Sequence, residues 1–440
     1  MKVMKFGGTS VGKPERIRQV ATLITKDNEP KIVVLSALSG TTNALVSIGE
    51  LVAEGRKENA KLEIEKLEKH YQNFIEELIQ KSEFLEKAKA IVAEHFEFLK
   101  IVLRISFSKA LNNEILAQGE LLSTKLFCVF LQENNIEYQL LPALEFMNID
   151  ENDEPEIINI EKKLKQLLQQ NSEQKIFITQ GYICKNAKQE VDNLKRGGSD
   201  YSASLIAAAI NASVCEIWTD IDGMHNNDPR VVEKTFPIEQ LSFDEAAELA
   251  YFGAKILHPA SIWPAQNYNV PVKLLNTMHP EEKGTTISDK TNIVGAKAIA
   301  AKDNITAIRI KSSRMLLAYG FLRKIFEVFE KYKTSIDMIT TSEVAVSITI
   351  DNTESLNSIL KELEPFGTIE VDENQTIVSV VGNEISQTDE TIKKLFNSIH
   401  EIPVRMVSYG GSPHNISLLV AAENKIALLK QLNKGLFGLA

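Results

Sequence analysis

Two consecutive glycines follow the first strand pattern of the chain, and this feature restricts which folds the chain can adopt. Lys2–Phe6 is a short apolar run, Gly7 and Gly8 follow it directly, and a helical pattern begins at Pro14. A strand that passes through a glycine turn into a helix is typical of layered α/β proteins. We therefore expect the chain to begin with an α/β domain.

The same alternation of strands and helices continues over the first two-thirds of the chain. Further strand patterns are Lys31–Leu35, Lys175–Ile183, Cys215–Thr219 and Val270–Leu275. Helical patterns lie between them, among them Pro14–Ile24, Ser202–Ile210 and Ser242–Phe252. Strands separated by helices predict a mostly parallel central sheet between helices. We place this α/β domain at residues 1–290.

Residues 51–110 depart from the alternation, because they are rich in Lys and Glu and contain no strand pattern. One apolar face recurs at three-four spacing, formed by Ile64, Leu67, Tyr71, Phe74 and Leu78. Such spacing predicts amphipathic helices. We expect a helical subdomain laid over the sheet; a partner-binding coiled coil is the alternative, although the run is short for one.

The last third of the chain, residues 291–440, predicts a second domain. Residues 303–372 follow the order strand, helix, strand, strand, helix, strand, which is that of a ferredoxin-like βαββαβ unit. Residues 373–440 repeat the order but lack its sixth element. A strand pattern upstream of the first unit, at residues 296–302, is expected to supply it. One unit would then be inserted within the other.

Composition limits the classes of function. Acidic residues outnumber basic ones by 59 to 49, a net charge of −10, which disfavours nucleic acid as the main partner. The three cysteines, Cys128, Cys184 and Cys215, lack metal-ligand spacing and fit a reduced compartment. No apolar run approaches the roughly 18 residues that span a bilayer, and the early glycine turn leaves no room for a signal peptide. We expect a cytoplasmic protein that does not bind membranes.

The first glycine turn is a candidate phosphate site. Backbone N–H groups at a glycine turn before a helix face an anion, and the ammonium of Lys5 lies beside them. The spacing from Gly7 to Lys13 also fits a P-loop, but Pro14 lacks the hydroxyl that a P-loop needs there for Mg²⁺. On its own, the motif is equally consistent with a structural turn.

A second glycine turn contains Arg196, Gly197, Gly198, Ser199 and Asp200 and leads into the next helical pattern. A guanidinium can bind a carboxylate through two parallel hydrogen bonds. A structural turn would explain the glycine and the capping residues, but not the arginine and the aspartate together. This segment therefore indicates a binding site for a small anion.

Two further segments are ambiguous in isolation. The polar stretch Thr219–Arg230 follows a strand and fits either a turn with Asx hydrogen bonds or the wall of a nucleotide site. The segment Phe252–Pro259 contains Lys255, which fits either a solvated surface position or a ligand contact.

Taken in order, these segments resemble the aspartate kinases of the amino-acid kinase family. The matching segments are Lys5–Gly12, Ser36, Thr41–Asn43, Gln118–Thr124, Thr179–Gly181, Lys195–Ala203, Thr219–Arg230 and Phe252–Pro259. The resemblance continues through both C-terminal units, which look like ACT domains. It implies an enzyme that uses ATP and Mg²⁺ to phosphorylate the side-chain carboxylate of L-aspartate, giving 4-phospho-L-aspartate.

The resemblance also assigns roles to residues. The implied catalytic residues are Lys5, Gly8, Ser36 and Asp200. The implied aspartate-binding residues are Thr42, Glu120, Arg196, Gly197, Gly198 and Ser199. The implied ATP-binding residues are Lys5, Gly7, Gly8, Thr219, Asp220, His225, Arg230, Lys255 and Ile256. Mg²⁺ would be held mainly by the ATP phosphates, and His225, where the family usually has tyrosine, should alter contacts near the nucleotide.

The chemistry of such a reaction agrees with these residue types. A carboxylate acceptor is already ionised at neutral pH, since an aspartate side chain titrates near about 3.9. No catalytic base is needed. The difficulty is to bring one anion onto another, and lysines, backbone N–H groups and Mg²⁺ reduce that repulsion.

The C-terminal units imply an effector site, because ACT domains commonly bind an amino acid between repeats. The positions that match the lysine-binding segment of lysine-inhibited aspartate kinases are Met315, Ala318, Phe321, Leu322, Ile336, Asp337, Ser342 and Glu343. The acidic pair Asp337 and Glu343 suits a cationic effector, and L-lysine is the expected one. Ala318 stands where a serine is often found. A purely architectural dimerisation tail is the alternative, and a homodimer or dimer of dimers through these units is expected in either case.

Two other functions compete with an aspartate kinase. One is a kinase for another substrate, such as glutamate or a carbamate, although those relatives generally lack paired ACT units. The other is a non-catalytic amino-acid sensor that keeps the kinase fold. Aspartate-dependent release of ADP distinguishes the three.

Overall fold

The computed structural model describes residues 1–195, 197–253, 257–289, 291, 294–315, 319–387 and 389–439. The chain forms two compact units. The first contains residues 1–224, 239–243 and 257–289, and the second contains residues 225–238, 244–256 and 290–440. Within the described residues, no helix is long and apolar enough to cross a membrane.

The first unit is built on a large sheet with helices around it. Its strands are β1 (Lys2–Phe6), β2 (Lys31–Leu35), β3 (Gln139–Leu140), β4 (Ile176–Gln180), β5 (Ile183–Lys185), β6 (Val191–Asn193), β7 (Cys215–Thr219), β8 (Gln240–Ser242), β9 (Val272–Asn276) and β10 (Thr285–Ser288). Its helices are α1 (Gly8–Val11), α2 (Pro14–Thr25), α3 (Thr41–Ala53), α4 (Lys57–Leu78), α5 (Ser82–Val102), α6 (Lys109–Glu133), α7 (Ala143–Phe146), α8 (Ile157–Gln170), α9 (Gly198–Ala209) and α11 (Pro259–Asn267). Helix α10 (Phe243–Tyr251) lies between α9 and α11 in the sequence but, from residue 244 onward, belongs to the second unit.

The sheet has the order β3-β4-β2-β1-β7-β9-β10-β8 in the described part of the chain. All neighbours pair in parallel except β10 and β9, which are antiparallel. The predicted mostly parallel α/β fold is thereby confirmed. Strands β1 and β2 are buried along their whole length, as expected for parallel strands covered on both faces.

The predicted strands β1, β2 and β7 have the observed bounds, whereas the predicted strand Lys175–Ile183 is split. Its first part is β4, and Ile183 instead begins the small antiparallel ribbon of β5 and β6. The break lies at Gly181 and Tyr182: β4 pairs with β2 only as far as Gln180, Tyr182 has a positive φ of 66°, and pairing with β6 begins at Ile183.

The helical subdomain predicted for residues 51–110 is present as α4 and α5. Ile64, Leu67, Tyr71, Phe74 and Leu78 are all buried in the main core of the first unit. Because this apolar face is covered within the chain, the coiled-coil alternative is wrong. The subdomain rests on α3 and α6, whose residues include several predicted site positions.

The second unit contains another sheet with helices packed on it. Its strands are β11 (Gly295–Lys311), β12 (Ile339–Thr341), β13 (Ala345–Ile350), β14 (Thr368–Asn383), β15 (Met406–Ser408) and β16 (Asn415–Ala421). Its helices are α12 (Phe321–Lys331), α13 (Leu356–Leu363), α14 (Asp389–Ser398) and α15 (Lys425–Phe437). Within the described residues the sheet order is β12-β13-β11-β14-β16-β15, with all pairs antiparallel.

Two long strands join the halves of this sheet. The segment 296–302, predicted as a separate strand, lies in the first half of β11, and the first strand predicted within residues 303–372 is its second half. In the same way, β14 combines the last strand predicted within residues 303–372 with the first strand predicted within residues 373–440. The sequence misplaced these breaks because polar residues mark the middle of each strand. The pairing register shifts there, and Asn304 and Asn374 adopt positive φ values of 60° and 55° within continuous strands.

Candidate active site

Several predicted site residues follow the carboxyl ends of parallel strands in the first unit. Backbone hydrogen bonds join the turns at these ends: Ser36 N donates to Phe6 O at 3.2 Å, and Gly181 N donates to Leu35 O at 2.9 Å. Gly7 N donates to Trp218 O, near the end of β7, at 3.3 Å. Ligands of open parallel sheets commonly bind outside this edge. The fold therefore collects these turns at one edge of the sheet.

The first glycine turn lies close to a buried lysine. A Cβ added to Gly7 would lie 3.2 Å from Lys5 Nζ, and one added to Gly8 would lie 3.1 Å from the carbonyl oxygen of Ala37. Lys5 Nζ lies 2.5 Å from Asp200 Oδ1, and both side chains are mostly shielded from solvent. The structure thus brings together three of the implied catalytic residues, Lys5, Gly8 and Asp200.

The second glycine turn begins α9. Gly197 and Gly198 have φ values of 68° and 53°, and a Cβ at Gly197 would lie 2.7 Å from Ser261 Cβ. Ser199 is buried, and a Cβ added to Gly181 would lie 2.5 Å from its hydroxyl oxygen. The predicted helix start at Ser202 is wrong by four residues, because the turn itself forms the first helical turn. Arg196 lies outside the described residues.

Glu120 is a buried carboxylate on α6. Its Oε1 accepts a hydrogen bond from Ala37 N at 3.2 Å, whereas its Oε2 has no hydrogen-bond partner among the described residues. Burial raises the pKa of Glu120 to about 7, and the backbone N–H groups and the positive charge of Lys5 oppose that rise. A buried carboxylate of this kind is suited to accept a cationic group.

The loop between β2 and α3 contains Ser36 and Thr42. Ser36 is half-buried, and its carbonyl oxygen accepts a hydrogen bond from Ser123 Oγ of α6 at 2.8 Å. This bond fixes the loop to α6. Thr42 is exposed in the first turn of α3. Its neighbour Thr41 is buried and shares a hydrogen bond of 2.9 Å with the hydroxyl of Tyr71 on α4.

The residues predicted to bind ATP are divided between the units. In the first unit, Thr219 Oγ1 donates to Asp220 Oδ1 at 3.2 Å. In the second, His225 Nδ1 lies 2.8 Å from Thr235 Oγ1, and Arg230 binds Asp228 through Nε at 2.9 Å and Nη2 at 2.8 Å. Lys255 and Ile256 lie outside the described residues. Their grouping around a nucleotide stays a prediction.

The predicted effector residues have two kinds of surroundings in the second unit. Met315, Phe321, Leu322 and Ile336 pack against the core formed around α12 and α13, whereas Ser342 and Glu343 are exposed. Asp337 is shielded from solvent and accepts from Tyr251 Oη at 2.6 Å and Lys302 Nζ at 2.7 Å, both on Oδ1. Ala318 lies outside the described residues. The predicted cation partner Asp337 therefore already has a cation beside it.

Sequence reasoning gave no role to three residues that hold this site in place: Ala37, Ser123 and Tyr71. The first two act through a backbone N–H and a hydroxyl-to-carbonyl bond, for which a sequence carries little signal. Tyr71 belongs to an apolar helical face, so its pattern indicated packing alone. Among the described residues, no cluster of three or more His, Cys, Asp or Glu side chains could hold a metal ion.

Comparison with known proteins agrees with the fold and with these motifs. Residues 1–276 match the amino acid kinase family, and residues 378–436 match the ACT domain. The chain is 34% identical to the lysine-sensitive aspartokinase 3 of Escherichia coli K12, with 99% of each chain covered.

Two crystal structures of E. coli aspartokinase III are also similar. The R-state complex with aspartate and ADP has a TM-score of 0.84 at 34% identity, covering 99% of this chain and all of that one. The T-state complex with lysine and aspartate has a TM-score of 0.82 at 33% identity, covering 99% of both. The chain belongs to the amino acid kinase family, and within that family to the aspartokinases that carry C-terminal ACT domains.

Proposed function

We propose that this aspartate kinase transfers the γ-phosphoryl group of ATP to the side-chain carboxylate of L-aspartate at the edge of the first unit's sheet, using Lys5, Asp200, Glu120 and the two glycine turns. The observation that carries this assignment is the half-satisfied, buried carboxylate of Glu120 within the electrostatic influence of Lys5. The carboxylate of Glu120 suits the ammonium group of an amino acid, and the ammonium of Lys5 suits a phosphoryl oxygen.

Lys5 neutralises negative charge that gathers on the transferring phosphoryl group. Asp200 holds the lysine by its 2.5 Å ion pair, so the ammonium keeps one position before substrates bind. Gly7 and Gly8 have no side chains that would keep phosphate oxygens away from backbone N–H groups. A Cβ at Gly8 would also crowd the carbonyl of Ala37. Ser36, on the adjoining loop, is the residue proposed to face the transferred group.

Glu120 binds the amino group of aspartate, and its unpartnered Oε2 is the acceptor. Thr42, Arg196 and the turn Gly197–Ser199 bind the substrate's carboxylates. The attacking carboxylate of aspartate is ionised at neutral pH, so no side chain has to remove a proton. Catalysis then consists of positioning the two substrates and offsetting the repulsion between them.

Mg²⁺ would be held mainly by the ATP phosphates, and it would supply positive charge to the oxygens in transfer. The carboxylate of Asp200 lies close to Lys5 and is suited to orient a water molecule bound to the metal. Mg²⁺ commonly keeps few protein ligands when substrate phosphates supply the others. Thr219, Asp220, His225, Arg230, Lys255 and Ile256 form the remaining ATP contacts in this proposal.

L-Lysine is the proposed inhibitor, bound by the segment that contains Met315, Ala318, Phe321, Leu322, Ile336, Asp337, Ser342 and Glu343. Support comes from the E. coli relative, which is lysine-sensitive and 34% identical over 99% of this chain. The buried Asp337 also has one carboxylate oxygen, Oδ2, without a hydrogen-bond partner among the described residues. Homodimeric assembly through the ACT units and a cytoplasmic location stay predictions.

Release of ADP from MgATP, measured with and without L-aspartate, tests the function. We expect release only with aspartate, together with an acyl phosphate that hydroxylamine traps. Release that depends on glutamate or another acceptor instead would identify a different amino-acid kinase. Lysine binding without any release would identify a sensor. Lysine and threonine titrated separately into the same assay identify the effector, and an enzyme unaffected by lysine would remove the proposed inhibitor.

A further inference from the structure

We propose that Tyr71 is a positioning residue for the amino-acid substrate: its hydroxyl fixes Thr41, and with it the first turn of α3, beside Glu120. The inference rests on the proposed function, because it takes Thr42 and Glu120 as residues that bind aspartate. It extends that function to a fully buried side chain of the helical subdomain.

The contact between the two hydroxyls is buried. Tyr71 Oη and Thr41 Oγ1 lie 2.9 Å apart, and each residue is at most 2% exposed. The ring of Tyr71 packs against Phe96 of α5, with centroids 5.8 Å apart. The ring is thus fixed in the core of the subdomain, and its hydroxyl connects this core to the start of α3 through the hydrogen bond with Thr41.

Glu120 belongs to the same neighbourhood. Burial raises the pKa of Tyr71, the bond to Thr41 opposes the rise, and the negative charge of Glu120 adds to it. Packing around the neighbouring Gly119 independently places Thr41 close to this part of α6. A Cβ on Gly119, the residue before Glu120, would lie 2.8 Å from Ala37 Cβ and 3.4 Å from Thr41 Cγ2. Thr41 and Ala37 therefore both lie against Gly119, the residue next to Glu120, where α3 packs on α6.

The N-cap residue of α3 does not hold the first turn of the helix through a side chain. Its N-cap residue is Gly40, which has a φ of 84° and no side chain with which to cap the helix. A Cβ on Gly40 would meet no described atom within 4 Å, so the loop before the helix is open on that side. The hydrogen bond between Thr41 and Tyr71 is therefore well placed to fix the position of the exposed Thr42.

Kinetics of Tyr71→Phe test the proposal, since this change removes the hydroxyl and keeps the ring. We expect the KM for aspartate to rise about three- to tenfold, the effect of losing one hydrogen bond. The kcat and the KM for ATP should stay within about twofold. Tyr138→Phe is the matched control, because its hydroxyl accepts a 2.8 Å bond from Gln132, twelve residues further along α6 than Glu120. It should leave the KM for aspartate unchanged.

A double-mutant cycle with Thr41→Val separates positioning from general destabilisation. Thr41→Val should raise the KM for aspartate by a similar factor, and adding Tyr71→Phe should raise it little further, since both changes break one bond. If the two factors simply multiply, or if only the melting temperature changes, the positioning role is overturned. Should Tyr71→Phe not fold, Thr41→Val alone still decides, because an unchanged KM for aspartate contradicts the proposal.

The variant Glu120→Gln separates a failure of this inference from a failure of the proposed function on which it rests. If Glu120→Gln raises the KM for aspartate and Tyr71→Phe does not, only the role of Tyr71 is wrong. If neither change affects aspartate, the proposed substrate site itself is wrong.

Discussion

Lys5 Nζ lies 2.5 Å from Asp200 Oδ1, and this ion pair joins the last residues of β1 to the first turn of α9. The two residues are 195 positions apart in the sequence. The pair therefore links the two glycine turns, one proposed to face ATP and the other to face aspartate. In the proposed mechanism, this pair holds the lysine where the two anionic substrates meet.

Replacing Lys5 by Ala tests its role in transfer. We expect kcat to fall about 10²- to 10³-fold, because a charge that stabilises the transition state is lost. The KM for aspartate should change far less. Lys2→Ala is the control on the same strand, since Lys2 pairs with Asp27 at 3.0 Å and Glu216 at 3.6 Å. Unchanged turnover of Lys5→Ala would contradict the mechanism.

Glu120 should make aspartate binding depend on pH. Burial raises its pKa to about 7, and only the ionised form attracts an ammonium group. The KM for aspartate should therefore fall as pH rises from 6 to 8, while Glu120→Gln should show a higher KM without this slope. Initial rates across that range measure both. A wild-type KM that is flat with pH would count against Glu120 as the ammonium ligand.

The same carboxyl has a consequence for stability. Its pKa in the folded protein, about 7, lies above the unfolded value near 4.5, so the folded form retains a proton that the unfolded form releases. Stability then decreases as pH rises between these values and levels off above them. Glu120→Gln lacks this loss and should be more stable than wild type at pH 8, by up to about 3 kcal/mol. Urea unfolding at pH 5 and pH 8 checks it; an equal difference at both would disprove it.

Gly197 should tolerate no side chain. Gly197→Ala places a Cβ at a φ of 68° and 2.7 Å from Ser261 Cβ, whereas Gly55→Ala meets the same strain at 73° with no described atom within 4 Å. Positive φ alone costs about 1–2 kcal/mol. Gly197→Ala should cost measurably more and should also raise the KM for aspartate. Melting temperatures and kinetics of the two variants, compared side by side, would refute the prediction if they matched.

Asp337 should be necessary for inhibition by lysine. Asp337→Asn removes the charge proposed to bind the effector's ammonium, and we expect the half-inhibiting concentration to rise about tenfold or more. Asp351→Asn is the control, because Asp351 also pairs with Lys302, at 2.9 Å, but lies outside the proposed site. Inhibition is measured against each variant's own uninhibited rate. Equal shifts in both variants would mean that the ion cluster acts through stability alone.

The sequence predicted the fold best where burial alone decides the structure. β1, β2 and β7 are apolar runs with turns at their ends, and nothing in the tertiary structure alters their bounds. The central breaks in β11 and β14 were misread, since Asn304 and Asn374 look like turn residues. There, pairing with neighbouring strands keeps the chain extended through a bulge, and local sequence does not contain that information.

The residues of the candidate site also differ in how far the sequence could predict them. Glycine turns and charged residues near strand ends carry a chemical signal in the sequence, so Lys5, Gly8 and Asp200 were singled out by it. Glu120, in the middle of α6, was implied only by the resemblance to the aspartate kinases. The contact between Tyr71 and Thr41 has no such signal, because each residue suits its own helix for other reasons. It exists only because α4 packs over the start of α3.

The two long strands of the second unit restrict how this domain can change in evolution. The first half of β11 pairs with the second half of β14, and the second half of β11 pairs with the first half of β14. A recombination point between residues 303 and 376 would separate strands from their partners and leave unpaired edges on both products. The two ACT-like halves can therefore be inherited or exchanged only together, as a fragment that begins no later than Gly295.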